Sequence, residues 1–371
     1  MKSSIALVSE EEMLARIALQ IVPRVGNKTA QDLVQYYGSA QALFEQATTK
    51  ELCQFTYLGS STAQLIIQKA TWKRAEEEWA FIQKYNIQVW SQQDQGYPKR
   101  LKQCPDAPFL LYYKGNQVLN TSKVVALVGT RRPSARGREF CQQLLEGLQP
   151  YEPLIVSGLA YGIDITAHTQ SLALGMPNIG VVAHGLDRIY PSQHQATAQK
   201  MVQCGGILTE FRTQTEPLSR HFPMRNRIIA GMADAVVVVE TANRGGSMIT
   251  AYLANEYNKE VFAVPGRLND PLAKGCNHLI KTHRACLLES AADMAYLLGW
   301  QPPAVAPQKR LFPSLTSQEQ ALVNHLIGEN LHLEEINRQM QLPSSQLAVL
   351  LLELELKGIV RALPGKHFEL V

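Results

Sequence analysis

The fold of the central region is decided by residues 124–138, which read VVALVGTRRPSARGR. Five consecutive apolar residues, 124–128, predict a strand that is buried on both faces. Gly129 then permits a tight turn, and the helix that opens after it presents unpaired backbone amides. Four arginines follow within ten residues, with no acid before Glu139, and positive charge beside free amides favours a phosphate-binding loop. Its candidate contacts are Gly129, Arg131 and Arg132, while Arg136 and Arg138 are expected on a solvated helix face.

Similar apolar runs recur between about residues 110 and 299 and alternate with helical patterns. Because nearly every position in these runs is apolar, they predict parallel strands with helices on both faces. The predicted fold class is therefore α/β, an extended Rossmann-like, doubly wound and mostly parallel sheet over 110–299. In such sheets the ligand crevice lies beyond the carboxyl ends of the strands. The predicted strands are Val124–Val128, Leu154–Ser157, Asn178–Ala183, Ile207–Thr209, Ala235–Glu240 and Val261–Val264.

Four more loops at predicted strand ends have the same glycine and arginine character. In the first of them, Asp164 either caps the next helix or orients an arginine. In the second, Tyr190 either offers a ring on which an unpaired base stacks or belongs to the core. Together with the first loop, these loops predict one anion-binding crevice. Their candidate contacts are Gly158, Gly162, Arg188, Tyr190, Arg220, Arg225, Asn226, Arg227, Gly245, Gly246 and Ser247, the last at a predicted helix N-cap.

Different patterns flank this region. Residues 1–90 read as a small helical domain of the SAM or helix-hairpin-helix type, with one long amphipathic helix predicted over 62–85. The turn at Gly26 either approaches a DNA phosphate or is a plain helix turn. Residues 300–315 are rich in proline and predict a linker. Residues 316–371 give three helices and a short hairpin, which is the order of a winged-helix domain.

Composition excludes several classes of protein. The 371 residues are 46% hydrophobic and 18% charged, a balance that disfavours extended disorder. The apolar runs are far shorter than the ~20 residues that cross a bilayer, and acidic residues 10–12 interrupt the start of the chain, so neither a membrane protein nor a secreted one is expected. The six cysteines form no CxxC pair, which favours a reduced, cytoplasmic protein. The net charge of +4 permits a polyanionic partner without requiring one.

The loops lack the patterns of common catalytic sites. GxSxG, GxGxxG and GxxxxGK[ST] are absent from them, the nine histidines are scattered, and no group of carboxylates with a lysine occurs. No metal and no cofactor are therefore expected. The sequence favours binding without turnover, and a nucleotide hydrolase that uses the same crevice is the alternative.

Six segments of the central region resemble the DprA/Smf family of bacterial DNA-processing proteins. They occur in order over about 110–290, and the flanking helical and winged-helix regions look like accessory parts of that family. The segments are VGTRRP (128–133), SGLAYGID (157–164), GLDRIYP (185–191), FPMRNRIIAG (222–231), GGSMIT (245–250) and FAVPG (262–266).

The resemblance implies a non-enzymatic protein that binds single-stranded DNA in a basic pocket, protects incoming DNA and loads the RecA recombinase in natural transformation. It also implies a homodimer formed through the Rossmann-like domain. The GxR arginine of the family falls on Arg131, whereas the lysines of its pocket have no match, since residues 192–194 read Ser-Gln-His. A wider superfamily contains nucleotide hydrolases with a PGGxGTxxE loop. Here Arg244 replaces the leading proline, and no glutamate follows before Glu256.

The charge of the C-terminal region does not favour the reading of duplex DNA. Residues 300–371 hold six basic and seven acidic side chains, and the predicted recognition helix, Ser344 to Lys357, contains no arginine. A helix that reads the major groove needs cations against the phosphates and polar groups against the base edges. The sequence therefore favours a protein-contact role for this region, by association with a partner or with a second copy.

Overall fold

The structure, a computed structural model, describes residues 9–55, 57–301, 315–328 and 330–370. The chain divides into two compact units, Met1–Pro303 and Ala304–Val371. The first unit holds a large sheet with helices on both faces, and the second has the winged-helix order of elements. The linker predicted over 300–315 falls almost entirely outside the described residues.

The sheet of the first unit is mostly parallel. Its strands are β1 Gln88–Ser91, β2 Leu110–Gly115, β3 Val124–Val128, β4 Leu154–Ser157, β5 Asn178–Val181, β6 Gly206–Thr209, β7 Ala235–Val238, β8 Glu260–Ala263 and β9 Cys286–Leu287. Within the described residues these nine strands pair in the order β1-β2-β6-β5-β4-β3-β7-β8-β9. The β1–β2 and β2–β6 pairs are antiparallel, and the other pairs are parallel. The predicted fold class is confirmed.

Helices of the first unit precede the sheet and connect its strands. They are α1 Glu10–Ile21, α2 Asn27–Tyr37, α3 Ala40–Gln46, α4 Thr49–Leu52, α5 Ser60–Ile67, α6 Trp72–Lys84, α7 Lys99–Lys102, α8 Ala135–Leu148, α9 Ile163–Ala173, α10 Gln195–Cys204, α11 His221–Met232, α12 Gly246–Glu256, α13 Lys274–Lys281 and α14 Ala291–Leu297. Short 3-10 helices cover Gln149–Tyr151 and Ser192–His194.

Strand β3 is apolar at every position because it faces two cores. Val125 and Leu127 of β3 pack with residues of α8, α9 and α14 on one face of the sheet. Ala126 and Val128 pack with residues of α11, α12 and α13 on the other face. All five residues of β3 are buried. The doubly wound arrangement follows directly from this pattern.

Helices α1–α6 share a third core with the antiparallel edge of the sheet, through residues such as Leu110 and Tyr112 of β2. The helical region and the sheet therefore form one compact unit. The single helix predicted over 62–85 is wrong, because α5 and α6 are separated at Lys69, whose φ of 51° is left-handed. The Ala70 amide bonds back to the Leu65 carbonyl at 3.1 Å, which closes α5.

The second unit is a winged helix, as predicted. Its elements are α15 Ser317–His325, β10 Leu331–His332, α16 Leu333–Met340, α17 Ser344–Leu356, β11 Val360–Leu363 and β12 His367–Leu370. In its described part the strands form an antiparallel sheet in the order β10-β12-β11. The unit has a core of its own, formed mainly by leucines of the three helices. No helix in the described part of the chain is long and apolar enough to cross a lipid bilayer.

Candidate nucleic-acid interface

The candidate interface lies where the strand order of the sheet reverses. Strand β3 has β4 on one side and β7 on the other. The connection that follows β3 leads to β4 and the connection that follows β7 leads to β8, so the two run to opposite halves of the sheet. The loops after β3 and β7 are tied together where the Thr130 amide donates to the Glu240 carbonyl at 2.7 Å. Open α/β sheets bind their ligands at this kind of position.

A cleft of about 330 Å³ opens beyond the ends of β3 and β7; we call it the Arg131 cleft. Its volume lies within the range of about 300–1,000 Å³ that is typical of ligand sites. Arg131 and Arg225, which come from distant parts of the sequence, face the same cleft. The predicted contacts that line it are Gly129, Arg131, Arg225, Asn226, Gly245, Gly246 and Ser247.

One aromatic ring contacts Arg131, and two more line a cavity beside it. The Cζ atom of its guanidinium lies 5.0 Å from the centroid of the Phe222 ring, within cation–π distance. A side cavity of about 40 Å³ adjoins this pair and is lined by Tyr161, Tyr190 and Gly158 as well. Tyr190 is 44% exposed and Tyr161 is 41% exposed, so both rings are surface groups rather than core residues. A cation among exposed rings suits a ligand that carries both phosphates and bases.

Two glycines allow the loops of the cleft to approach one another closely. Gly162 has a φ of 82°, and a Cβ atom placed on it would lie 2.2 Å from the carbonyl oxygen of Thr130. A Cβ atom on Gly158 would lie 2.2 Å from Nη1 of Arg225. Gly162 admits only glycine, since a side chain there would displace backbone, and a side chain at Gly158 would push against the buried Arg225 guanidinium. They shape the cleft, and Gly158 also lines the side cavity.

Arg225 is a buried cation that holds the rim of the sheet. Its Nη1 atom donates to the carbonyl of Gly158, after β4, and to that of Val181, in β5, at 2.6 Å in the second case. Burial lowers the pKa of Arg225 to about 10, while the nearby Asp164 carboxylate opposes that shift. Burial also raises the pKa of Asp164, whose carboxylate accepts the Ala160 amide at 3.3 Å. Asp164 therefore accepts a hydrogen bond from the loop before α9 and interacts with Arg225 through charge, whereas its role in orienting that arginine stays a prediction.

The start of α12 offers backbone amides to the cleft. The expectation that Ser247 caps this helix is wrong: Gly245 is the N-cap residue, and the Ser247 hydroxyl donates to Oγ1 of Thr241 at 2.7 Å. No side chain therefore caps α12. Within the described residues, the amides of Gly246 and Ser247 have no acceptor, and both residues line the cleft. Uncapped amides at a helix N-terminus favour an anion.

Arg227 does not belong to the cleft, and its assignment as a phosphate contact is corrected. Its guanidinium is buried, pairs with the Glu210 carboxylate and donates to the Asp106 carbonyl. A desolvated arginine with these partners is not available to DNA. It anchors α11, the helix that carries Phe222, to the loop after β6.

Three other predicted arginines lie outside both cavities. Arg132, Arg188 and Arg220 are exposed but line neither the Arg131 cleft nor its side cavity. Arg188 forms a surface pair with Asp187 at 3.0 Å, a contact of small energetic value. Contacts of these three arginines with DNA stay predictions.

Phe222 and Tyr161 are the functional candidates that the sequence reasoning missed. Phe222 stands in the segment RHFPMRNR, which was selected for its arginines, and Tyr161 stands in SGLAYGID, which was selected for its glycines. In both cases the available signal was an aromatic residue inside a loop already assigned to phosphate binding.

Comparison with known proteins agrees with this geometry. Residues 88–299 match the sequence profile described as DNA recombination-mediator protein A, and residues 302–366 match that of the DprA winged helix domain. DNA processing protein DprA of Streptococcus pneumoniae is 42% identical over 201 residues, which cover 54% of this chain and 71% of that protein. Protein Smf of Escherichia coli is 32% identical over 307 residues, 80% of this chain and 81% of that protein.

Solved structures give the same result. The X-ray structure of DprA from Streptococcus pneumoniae matches with a TM-score of 0.67 at 30% identity, covering 80% of this chain and 99% of that one. The structure of DNA processing protein A from Helicobacter pylori, described for its single-stranded DNA binding mode, matches with a TM-score of 0.53 at 30% identity, covering 58% of this chain and 98% of that one. This chain therefore belongs to the DprA/Smf family of DNA-processing proteins.

Proposed function

We propose that this protein binds single-stranded DNA in the Arg131 cleft without turning it over, protects the strand, and loads a RecA recombinase onto it in recombination and natural transformation. The observation that carries the proposal is the cation–π pair of Arg131 and Phe222 in the wall of the cleft, with 5.0 Å between the guanidinium carbon and the ring centroid. This pair combines a cation for phosphate with a π face for a base.

Phosphate binding is supported by several groups that converge on the cleft. Arg131 is exposed, and no carboxylate of the described residues forms an ion pair with it. The free amides of Gly246 and Ser247 lie in the same wall, and Asn226 donates from its side-chain amide to the Gly246 carbonyl at 3.3 Å. Buried Arg225 adds positive charge behind this surface. We expect Arg131 and these amides to make the direct phosphate contacts.

The aromatic rings favour an unpaired strand over a duplex. Bases in a duplex are already stacked on one another, whereas the bases of a single strand can stack on protein side chains. The rings of Tyr190 and Phe222 have centroids 6.2 Å apart and border the side cavity together with Tyr161. Three rings next to one arginine offer surfaces on which unpaired bases can stack beside a phosphate contact.

Binding without turnover is supported by the state of the groups near the cleft that could move a proton. Asp164 is buried and accepts a backbone amide, as described above. His184 lies beside the side cavity, and both ring nitrogens are engaged, Nδ1 with the Gly185 carbonyl and Nε2 with the Tyr190 amide. His184 therefore has no free ring nitrogen that could act as a general base on a ligand held by Arg131, and Asp164 has one carboxylate oxygen already engaged.

Membership of the DprA/Smf family supports the proposals that concern partners. The resemblance to this family implies that the protein loads RecA and that it forms a homodimer through the sheet-containing unit. The molecular mass of the purified protein, measured by analytical ultracentrifugation, tests the dimer. The loading is tested by measuring the assembly of RecA filaments on single-stranded DNA that is coated with single-strand-binding protein. A monomer at all concentrations, or filament assembly that does not respond to the protein, contradicts the respective proposal.

Binding to single-stranded and duplex oligonucleotides of equal length, measured over a series of salt concentrations, tests the central claim. We expect Arg131→Ala to weaken single-strand binding for every sequence alike. The negative slope of log K against log salt should become less steep by about 0.7, the value for one lost phosphate contact. Arg284→Ala is the matched control, because Arg284 packs on Tyr252 at 5.2 Å and lines neither cavity. Unchanged affinity in Arg131→Ala contradicts the proposal.

A second arm separates binding from hydrolysis. The full chain is incubated with nucleoside monophosphates, and the release of free base or of phosphate is measured. We expect no turnover above a blank without protein. Turnover that is lost in Arg131→Ala replaces the proposal with a nucleotide hydrolase that uses the same cleft.

A further inference from the structure

A second cavity, of about 510 Å³, lies next to the Arg131 cleft; we call it the Phe140 cavity. The bonded pair Thr130 and Glu240 stands between the two, because Thr130 lines the Arg131 cleft and Glu240 lines the Phe140 cavity. Its walls come from the start of α8, from the loop of residues 264–273 after β8, and from the end of β9. It contains Val264, Pro265 and Gly266, the end of the FAVPG segment, to which the proposed function gives no role.

The Phe140 cavity is built by specific contacts. The side-chain amide of Asn277 brackets the backbone of Gly266: its Oδ1 accepts the Gly266 amide at 3.1 Å, and its Nδ2 donates to the Gly266 carbonyl at 2.9 Å. The Glu240 carboxylate accepts both the backbone amide and the hydroxyl of Ser134, at 2.9 and 2.5 Å. Both walls are therefore held in place by hydrogen bonds within the protein.

The cavity repeats the chemistry of the Arg131 cleft. Arg136 and Phe140 are four residues apart on α8 and both line the cavity, so one helix supplies a cation and an aromatic face. Arg267 lines the opposite wall. Both arginines are exposed, and within the described residues neither has a carboxylate partner. Val264 and Leu288 add apolar surface. A base beside Phe140 with its phosphate at the arginines fits this set of side chains.

The carboxylates of Glu240, Asp270 and Glu289 line this cavity, whereas among the described residues only that of Asp164 lines the Arg131 cleft. Asp270 uses Oδ1 to accept the Leu272 amide at 2.8 Å, while its Oδ2 and the whole Glu289 carboxylate have no donor among the described residues. A carboxylate accepts hydrogen bonds from the amino groups of bases, as glutamate and aspartate do from cytosine N4. Thymine has no amino group, and its single N–H lies between carbonyl oxygens that repel a carboxylate.

We propose that the Phe140 cavity holds one nucleotide of the DNA strand that continues from the Arg131 cleft, and that it selects bases with an amino group over thymine. The base lies beside Phe140 with its amino group at Asp270 or Glu289, and its phosphate is bound by Arg136 and Arg267. This inference rests on the proposed function, since it requires the strand to occupy the Arg131 cleft.

The experiment compares oligo-dC with oligo-dT of equal length by fluorescence anisotropy on the full chain, at slightly alkaline pH where cytosine runs stay unpaired. We expect the wild type to bind oligo-dC about fivefold or more tightly, the lower end of what one such base contact provides. Glu289→Ala or Asp270→Asn, whichever removes the carboxylate that accepts the amino group, should bring the ratio of the two affinities close to one. Glu260→Ala, which removes an exposed carboxylate at the start of β8, is the matched control and should keep the wild-type ratio.

The ratio is the informative quantity, because removal of a carboxylate strengthens binding of both oligonucleotides by electrostatics. A wild-type ratio near one, or a ratio that Glu289→Ala and Asp270→Asn leave unchanged, overturns the inference. Arg131→Ala separates the two proposals: loss of affinity at a constant ratio supports the Arg131 cleft, whatever the result for the carboxylates. Free dCMP that binds Arg131→Ala as tightly as the wild type and displaces no oligonucleotide shows a free-nucleotide site and overturns the inference as well.

Discussion

Replacement of Phe222 by alanine removes one stacking surface from the Arg131 cleft. The ring is half-buried in the first turn of α11 and is not part of either core of the sheet, so its loss should leave the fold intact. Stacking of a base on an aromatic side chain contributes about 1–3 kcal/mol. Phe222 also supports the Arg131 guanidinium at 5.0 Å, which adds about 0.5–1 kcal/mol. The sum predicts a rise in Kd by about one to three orders of magnitude.

Fluorescence anisotropy with a labelled oligo-dT measures this loss, at salt concentrations between about 50 and 200 mM. Because no phosphate contact is removed, the dependence of log K on log salt should keep the wild-type slope. Phe222→Tyr keeps the aromatic face and should bind like the wild type, whereas Phe222→Leu keeps apolar volume without a π face and should bind like the alanine variant. Circular dichroism checks that each variant is folded.

Two results would refute the reasoning. Wild-type affinity in Phe222→Leu shows that the site needs apolar volume and not a ring. A reduced salt slope in Phe222→Ala, as expected for Arg131→Ala, shows that the ring acts by holding the arginine and stacks on no base.

Three further predictions concern stability and the second unit. Glu210→Gln leaves Arg227 buried without its counter-charge and should lower the free energy of unfolding in urea by about 3–5 kcal/mol, while Glu210→Leu combined with Arg227→Met should restore much of it. Burial lowers the pKa of His168 to about 4, so between pH 6.5 and pH 4 this histidine is protonated in the unfolded chain and neutral in the folded chain. The free energy of unfolding in urea should therefore fall by about 3 kcal/mol from pH 6.5 to pH 4, and by less in His168→Gln. The isolated winged helix, which has its own core, should give no gel shift with duplex DNA at low salt, because the exposed face of α17 carries leucines and glutamates.

Much of the fold was predictable because its signals are local. The apolar run 124–128 is long enough for a strand and has no polar face. Such a run is typical of a parallel strand that is buried on both faces. The break at Lys69 was not predictable from periodicity, since the apolar pattern continues through it while the backbone turns. A left-handed lysine leaves no mark in the sequence, because the cap that stabilises it is made by backbone groups.

The site was predictable at the level of loops and less so at the level of side chains. The sequence does not distinguish between three arginines that the fold uses differently. Arg131 is exposed, Arg225 donates to a strand carbonyl, and Arg227 pairs with Glu210. The difference depends on neighbours that only the folded chain brings together. Phe222 was overlooked because its segment was selected for positive charge. Its position beside Arg131 depends on where α11 begins.

The clamp formed by Arg225 has a kinetic consequence. One guanidinium fastens the ends of two neighbouring strands through contacts within the protein, so the position of the receiving surface does not depend on groups of a ligand. Little loop ordering is then required during capture, and the encounter rate should be governed by diffusion and by long-range attraction between the cations and the phosphates. Capture at first contact is what the proposed function, the binding of a single strand in the Arg131 cleft, requires of this surface.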